Sequence, residues 1–285
     1  MYGPEILARF LSVPSATADK WGNHWQYNSR SDRHSKVACW GVAFDLLLTS
    51  SLLRTHAAAG KIVLGVNQEM VDFATQRKKD LDLVVARSAT GVPSRGKSFA
   101  DLIDRYGILL TEEEHALLGE LPRLPIATVP ATSTLIALEA KACMTAHVKS
   151  LPRLYDELNS SHLCVHGAAR QALAIAFVQV NASERFVSSV TNNYSLAEHA
   201  PVWSEHRQPE DTNRVLDKIA EMPRRSATSE VGFDGLGVVV VEARNDGSPV
   251  RIVSGPPAPP PGSTFDYAGM IVRMATVYDA TFGHL

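Results

Sequence analysis

Three charged residues on two apolar segments supply the chemistry this sequence can offer. In "KKDLDLVV", Asp82 directly precedes an apolar run, and Asp80 shares its face because strand side chains alternate. In "LIALEAKAC", Glu139 and Lys141 share one face while Leu138 and Ala140 share the other. A charge near a core is costly unless it is paired or binds a metal, so these side chains need a reason to be there. A carboxylate on each of two adjacent strands, with a lysine two residues beyond one of them, makes a magnesium site with a cation beside an attacking water. Either Asp82 or Asp80 can fill the first position.

The elements that must position these groups are legible as a mixed α/β pattern. A start "MYGPEILARFL" reads as an amphipathic helix, and residues from Ser31 to about His56 as one long buried helix closed at Gly60. "KIVLGVN" reads as a short strand, "QEMVDFATQRK" as a helical or irregular stretch, and "KDLDLVVA" as a strand. A polar excursion over about 87–130 holds helices at "SFADLIDRYG" and "TEEEHALLGEL". Then follow a strand "STLIALEAKAC", a helix "VKSLPRLYDELNSSHLCVHG", a strand "QALAIAFVQVN" and a helix within "QPEDTNRVLDKIAEM". A strand pair around "NDG", a proline-rich linker "GPPAPPPG" and a last helix finish the chain. The expected architecture is a central mixed β-sheet with helices on both sides.

The pair "DLDLVV" and "ALEAKAC" resembles the PD-(D/E)XK nuclease superfamily, in which an Asp on one strand and Glu-x-Lys on the next form the catalytic centre. "RKKDLDLVV", "ALEAKACMTAH" and "RLYDELNSSH" together look like a restriction-endonuclease-type member. The resemblance implies that Asp82 and Glu139 hold Mg2+, with Mn2+ able to substitute, and that Lys141 orients or deprotonates the water. It also matches Glu69 to a helical acidic residue found in many members. It implies a restriction-endonuclease-like core over about 31–181, an insertion over about 87–130, and recognition or dimerisation elements over about 200–285, within one nuclease domain spanning 1–285. Leu81 stands where the namesake motif has Pro, and the insertion lengthens the path between the acid-bearing strands. The implied activity is a magnesium-dependent endodeoxyribonuclease, a type II restriction enzyme of phage defence working as a homodimer on double-stranded DNA. A repair or defence nuclease without a fixed site is the neighbouring expectation.

Basic residues flank the acids and offer phosphate contacts. Arg30, Arg33 and Lys36 open the long helix, Arg77, Lys78 and Lys79 precede Asp82, and Lys149 and Arg153 follow the Glu-x-Lys strand. Overall charge adds nothing, since 28 Lys and Arg stand against 30 Asp and Glu for a net charge of -2. Trp21, Trp25 and Tyr27 can stack on bases or pack internally.

Two other chemistries compete. "GVPSRGKS", Gly91 to Ser98, satisfies phosphate-loop spacing, and a P-loop NTPase would use Lys97 and Ser98. Four residues separate the strand's end from Gly91, and Pro93 has no amide to give a phosphate, so an exposed turn touching nucleic acid through Arg95 and Lys97 is the plainer expectation. Cys143, His147, His162, Cys164 and His166 are dense enough to consider zinc, but match no common spacing. Three cysteines in no even framework suggest a reducing cytoplasm. No apolar run approaches the roughly 18 residues of a membrane span.

Overall fold

The computed structural model describes residues 1–88, 96–127, 133–227 and 229–285. In chain order the elements are α1 (Gly3–Leu11), α2 (Arg33–Thr49), α3 (Ser51–Ala58), β1 (Ile62–Val71), β2 (Lys78–Arg87), α4 (Leu102–Tyr106) and α5 (Glu112–Glu120). There follow β3 (Thr134–Cys143), α6 (His147–Ala168), β4 (Leu173–Asn181), β5 (Arg185–Val187) and β6 (Trp203–Glu205). The chain ends with α7 (Glu210–Ala220), β7 (Gly235–Glu242), β8 (Arg251–Ile252) and α8 (Tyr267–Thr281). Six strands form one mixed sheet in the order β1-β2-β3-β4-β7-β8, and β5 pairs with β6 in a small second sheet. β3, β4 and β7 run parallel, while β1, β2 and β8 are antiparallel to their neighbours.

The parallel centre explains the apolar runs in the sequence. β4 is buried at every position, because helices cover both its faces. One face carries α1, α2, α3 and α8, with Trp40 of α2 stacked 4.6 Å from Phe99 and 5.1 Å from Phe44. The other carries α6 and α7 over Ala137, Val178, Val238 and Val240. α1 crosses α2 where two glycines meet, and a Cβ on Gly41 would lie 2.7 Å from the Gly3 Cα. Only glycine at both positions permits that approach.

The long helix expected from Ser31 to His56 is two helices at 98° to each other. Ser50 makes the break: its extended backbone places its hydroxyl to accept the Leu53 N–H as an N-cap and to donate to Asp279 of α8. Among the described residues no single helix is long and apolar enough to cross a membrane. The stretch "QEMVDFATQRK" is also different from expectation, since its first four residues continue β1 to Val71, residues 72–77 form the β1–β2 turn and Lys78 opens β2. Helix "SFADLIDRYG" shortens to α4, whereas α5 forms with Thr111 and Glu114 in a reciprocal capping box. The small β5-β6 sheet was not expected from the sequence.

Candidate active site

β2 and β3 lie side by side in the middle of the antiparallel half of the sheet and bring the acids together. Their ladder pairs Leu83 with Leu138, then stops on the side of Asp82. On the other flank, the β1–β2 register skips Asn67 and Asp82, with Asn67 in the left-handed region at φ 52°. Where the ladder stops, the Ala140 N–H needs another acceptor, and Asp82 Oδ2 takes it at 2.9 Å. The Asp82 carboxylate is thereby tied to the residue that separates Glu139 from Lys141. On β3, Lys141 Nζ lies 2.9 Å from Glu139 Oε1 and 2.9 Å from Glu157 Oε2 of α6, so the shared face read from the sequence is present.

A cleft of about 400 Å³ opens at this point. Asp82, Ala140 and Lys141 line it, with Tyr27, Arg30 and the start of α2 on one wall and Ser150, Arg153 and Glu157 of α6 on the other. Tyr27 is braced from a distance. Asn245, in the turn after β7, accepts from the Tyr27 N–H and donates to its carbonyl and to that of Val187. The "NDG" turn thus contributes to the cleft wall.

Both strand acids are paired with lysine. Lys36 Nζ of α2 is 2.5 Å from Asp82 Oδ1, and the Ser35 hydroxyl lies between that oxygen at 3.1 Å and the Asp32 carbonyl at 2.8 Å. Glu139 Oε1 faces Lys79 at 3.3 Å as well as Lys141, while its buried Oε2 has no hydrogen-bond partner among the described residues. Burial, then the Asp82 charge, raises the Glu139 carboxyl above the usual range, against the pull of Lys141 and Lys79. Burial disfavours the charge on Lys141, yet Glu139 and Glu157 outweigh it and hold its pKa above the ordinary lysine value. The lysine gains more from the pair than the acid does, because it has two carboxylates and the acid has a like-charged neighbour. For Glu157, burial is overcome by hydrogen bonds from Arg153 and Lys141, and its pKa is lowered. Burial also works against Lys36, and Asp82 reverses it to a net rise.

The oxygen donors a hard divalent cation would meet here are the carboxylates of Asp82 and Glu139. Magnesium is commonly held by one or two carboxylates and fills its other positions with water and phosphate oxygen. Glu139 Oε2, buried and unbonded, is the kind of oxygen such an ion would satisfy. Among the described residues no group of three His, Cys, Asp or Glu side chains converges. The zinc alternative therefore finds no cage: His147 is bonded to the Asn181 carbonyl, Cys143 to Ser150, and His162 to Asn159.

Other expected site residues are scattered. Asp80 is exposed opposite Glu69, which leaves Asp82 as the acid beside Glu139. Glu69 is on a strand and not a helix, is exposed, and pairs with Lys78 at 3.1 Å, because the pairing with β2 extends β1 past the expected end of "KIVLGVN". Of the basic residues, Arg30 and Arg153 line the cleft, and Lys149, Arg77 and Lys78 are exposed. Arg33 donates to the Tyr106 carbonyl and lies over Phe10, while Lys36 and Lys79 face inward to the acids, so these three are occupied within the fold. Trp25 is buried and donates to Asp19, which makes it a packing residue.

The phosphate-loop candidate has a different geometry from the one its spacing requires. Gly91 to Arg95 lie outside the described residues. Lys97 and Ser98 are extended against Pro125 and Ile126, the next helix begins only at Leu102, and both the Ser98 amide and hydroxyl donate to Asp101. No helix N-terminus meets the Lys-Ser pair.

Sequence reasoning missed Glu157 and the inward role of Lys36. Arg153 and Glu157, four residues apart on α6 and 2.6 Å from each other, carried a readable helix-pair signal. Nothing in the local pattern distinguishes Lys36 from a solvated helix cation. Compared with known proteins, the chain matches no family model, no curated sequence and no solved structure.

Proposed function

We propose that this protein is a divalent-metal-dependent DNA endonuclease with a restriction-endonuclease-like core, hydrolysing phosphodiester bonds in duplex DNA. The observation that carries the reading is a cleft lined by Asp82 of β2 and Lys141 of β3, with buried Glu139 paired to Lys141 just beneath it. Asp82 and Glu139 would hold Mg2+ or Mn2+, which when bound supplies Lewis acidity to the phosphate and lowers the pKa of water. Lys141 presents an ammonium to the attacking water and to the charge developing on phosphorus, and Glu157 and Glu139 fix its position. Arg30 and Arg153 at the cleft walls meet the phosphates on either side of the scissile one. Water forms the new P–O bond and gives up a proton to solvent, the P–O3′ bond breaks, and the products are a 5′ phosphate and a 3′ hydroxyl that takes up a proton from solvent.

A type II restriction enzyme acting as a homodimer on a two-fold site is the specific form proposed. The test is incubation of plasmid and phage DNA with the protein and Mg2+, comparing wild type with Glu139→Gln and Lys141→Met after their folding is checked by circular dichroism. Discrete fragments are expected from wild type, with loss of at least about 100-fold in either variant. A smear in place of fragments would assign a nuclease without a fixed site. No cleavage with Mg2+ or Mn2+, or undiminished cleavage by the folded variants, would sink the proposal.

A further inference from the structure

A carboxylate that is to bind a cation needs free lone pairs, and both oxygens of Asp82 are already engaged. Its two oxygens offer about four acceptor positions. Lys36 Nζ at 2.5 Å takes one position on Oδ1 and the Ala140 N–H at 2.9 Å one on Oδ2, while the single Ser35 hydroxyl proton is shared between Oδ1 at 3.1 Å and the nearer Asp32 carbonyl at 2.8 Å. The Cys39 thiol faces Oδ2 at 3.9 Å, a weak contact. Glu139, in contrast, keeps Oε2 entirely unbonded. Lys36 supplies the charged part of this asymmetry: it is 5% exposed, its short contact is to Asp82, and its second carboxylate, Asp32, is farther off at 3.9 Å. Charge is balanced without any metal: Lys36, Lys79, Lys141 and Arg153 stand against Asp32, Asp82, Glu139 and Glu157. A divalent ion entering this cluster would be repelled by the ammonium nearest to its ligand, and that repulsion is strong in a partly buried site.

We infer that Lys36 is an internal counter-ion that holds Asp82 while no divalent cation is bound and gives the carboxylate up when one arrives. It is a positioning residue, and it sets how much free cation the site requires. The inference rests on the metal-dependent reading above and makes a claim about binding that does not depend on cleavage.

The experiment is a Mn2+ titration of the full-chain protein, with free Mn2+ followed by electron paramagnetic resonance. Wild type is expected to bind Mn2+ at a site that Asp82→Asn and Glu139→Gln each weaken, which tests the metal site itself. Lys36→Met and Lys36→Gln, which remove the competing charge, are expected to bind at least about tenfold more tightly than wild type. Binding by these variants that is equal to or weaker than wild type overturns the inference while leaving the metal site standing. If wild type and both variants all fail to bind, the metal site and the inference fall together. Should the Lys36 variants not fold, lysine acetylation of wild type read by mass spectrometry decides the matter. Lys36 is expected to be protected without Mn2+ and modified at saturating Mn2+, and protection under both conditions overturns the inference.

Discussion

Glu157→Gln isolates the positioning of Lys141 from its charge. The wild-type carboxylate lies 2.9 Å from Lys141 Nζ and 2.6 Å from Arg153 Nε, with the Lys141 and Glu157 side chains 21% and 29% exposed. Glutamine keeps a carbonyl acceptor for one of the two partners, so what is lost is mainly the charge-assisted part of two hydrogen bonds. The difference between a charged and a neutral hydrogen bond is about 1 kcal/mol, and partial exposure keeps the figure near the low end of what buried pairs give. Global stability is therefore expected to fall by about 1 kcal/mol in urea titrations. Lys141 still has Glu139 at 2.9 Å, so the ammonium stays in the cleft but is less sharply held. Plasmid cleavage under single-turnover conditions is expected to slow by about three- to tenfold, since 1.4 kcal/mol corresponds to tenfold. Lys141→Met, which removes the ammonium itself, is expected to lose at least about 100-fold. Two outcomes refute the reasoning. Wild-type cleavage by Glu157→Gln would make the contact a surface pair with no part in positioning. A loss as deep as that of Lys141→Met would place Glu157 at the reacting atoms.

Two further predictions concern the buried polar cluster where β4 and β7 begin. Arg225 donates to Asp234 at 2.8 Å and to the carbonyls of Arg170 and Ala172, and Asp234 in turn accepts the Ala174 N–H. Arg225→Met leaves that carboxylate buried without its cation, and a loss of about 3–5 kcal/mol in urea unfolding is expected; a loss below about 1 kcal/mol would mean the network relaxes into solvent. His162 and His166 are pushed down to about 4, by burial first and then by the Arg225 charge, although His166 lies 3.5 Å from Asp234. They are therefore neutral in the fold at pH 7. Because the unfolded chain takes up their protons below the ordinary value of 6.5, stability is full above that pH and falls as pH drops toward 4. Urea midpoints at about pH 7.5 and about pH 5 measure the slope, which His166→Phe should flatten; the same slope in both proteins would remove His166 as a source.

The sequence by itself determined what depends on local pattern. Alternation placed Glu139 and Lys141 on one face of a strand, apolar runs marked the strands that became β3 and β4, and the pattern of "TEEEHALLGEL" marked the helix that became α5. Those signals lie within a few residues of each other, where backbone geometry alone fixes relative position.

The partners of the site were decided only by the tertiary structure. Whether Asp80 or Asp82 turns inward depends on where the β2–β3 ladder ends and frees the Ala140 amide. Glu69 became a strand residue because pairing with β2 extends β1 through it, overriding a stretch with no strong periodicity of its own. The break at Ser50 needed Asp279 from the last helix, and Lys36 met Asp82 only when α2 packed across the sheet. A side chain's charge can be read from the sequence, but whether that charge faces water, phosphate or another side chain is set by contacts between segments far apart in the chain.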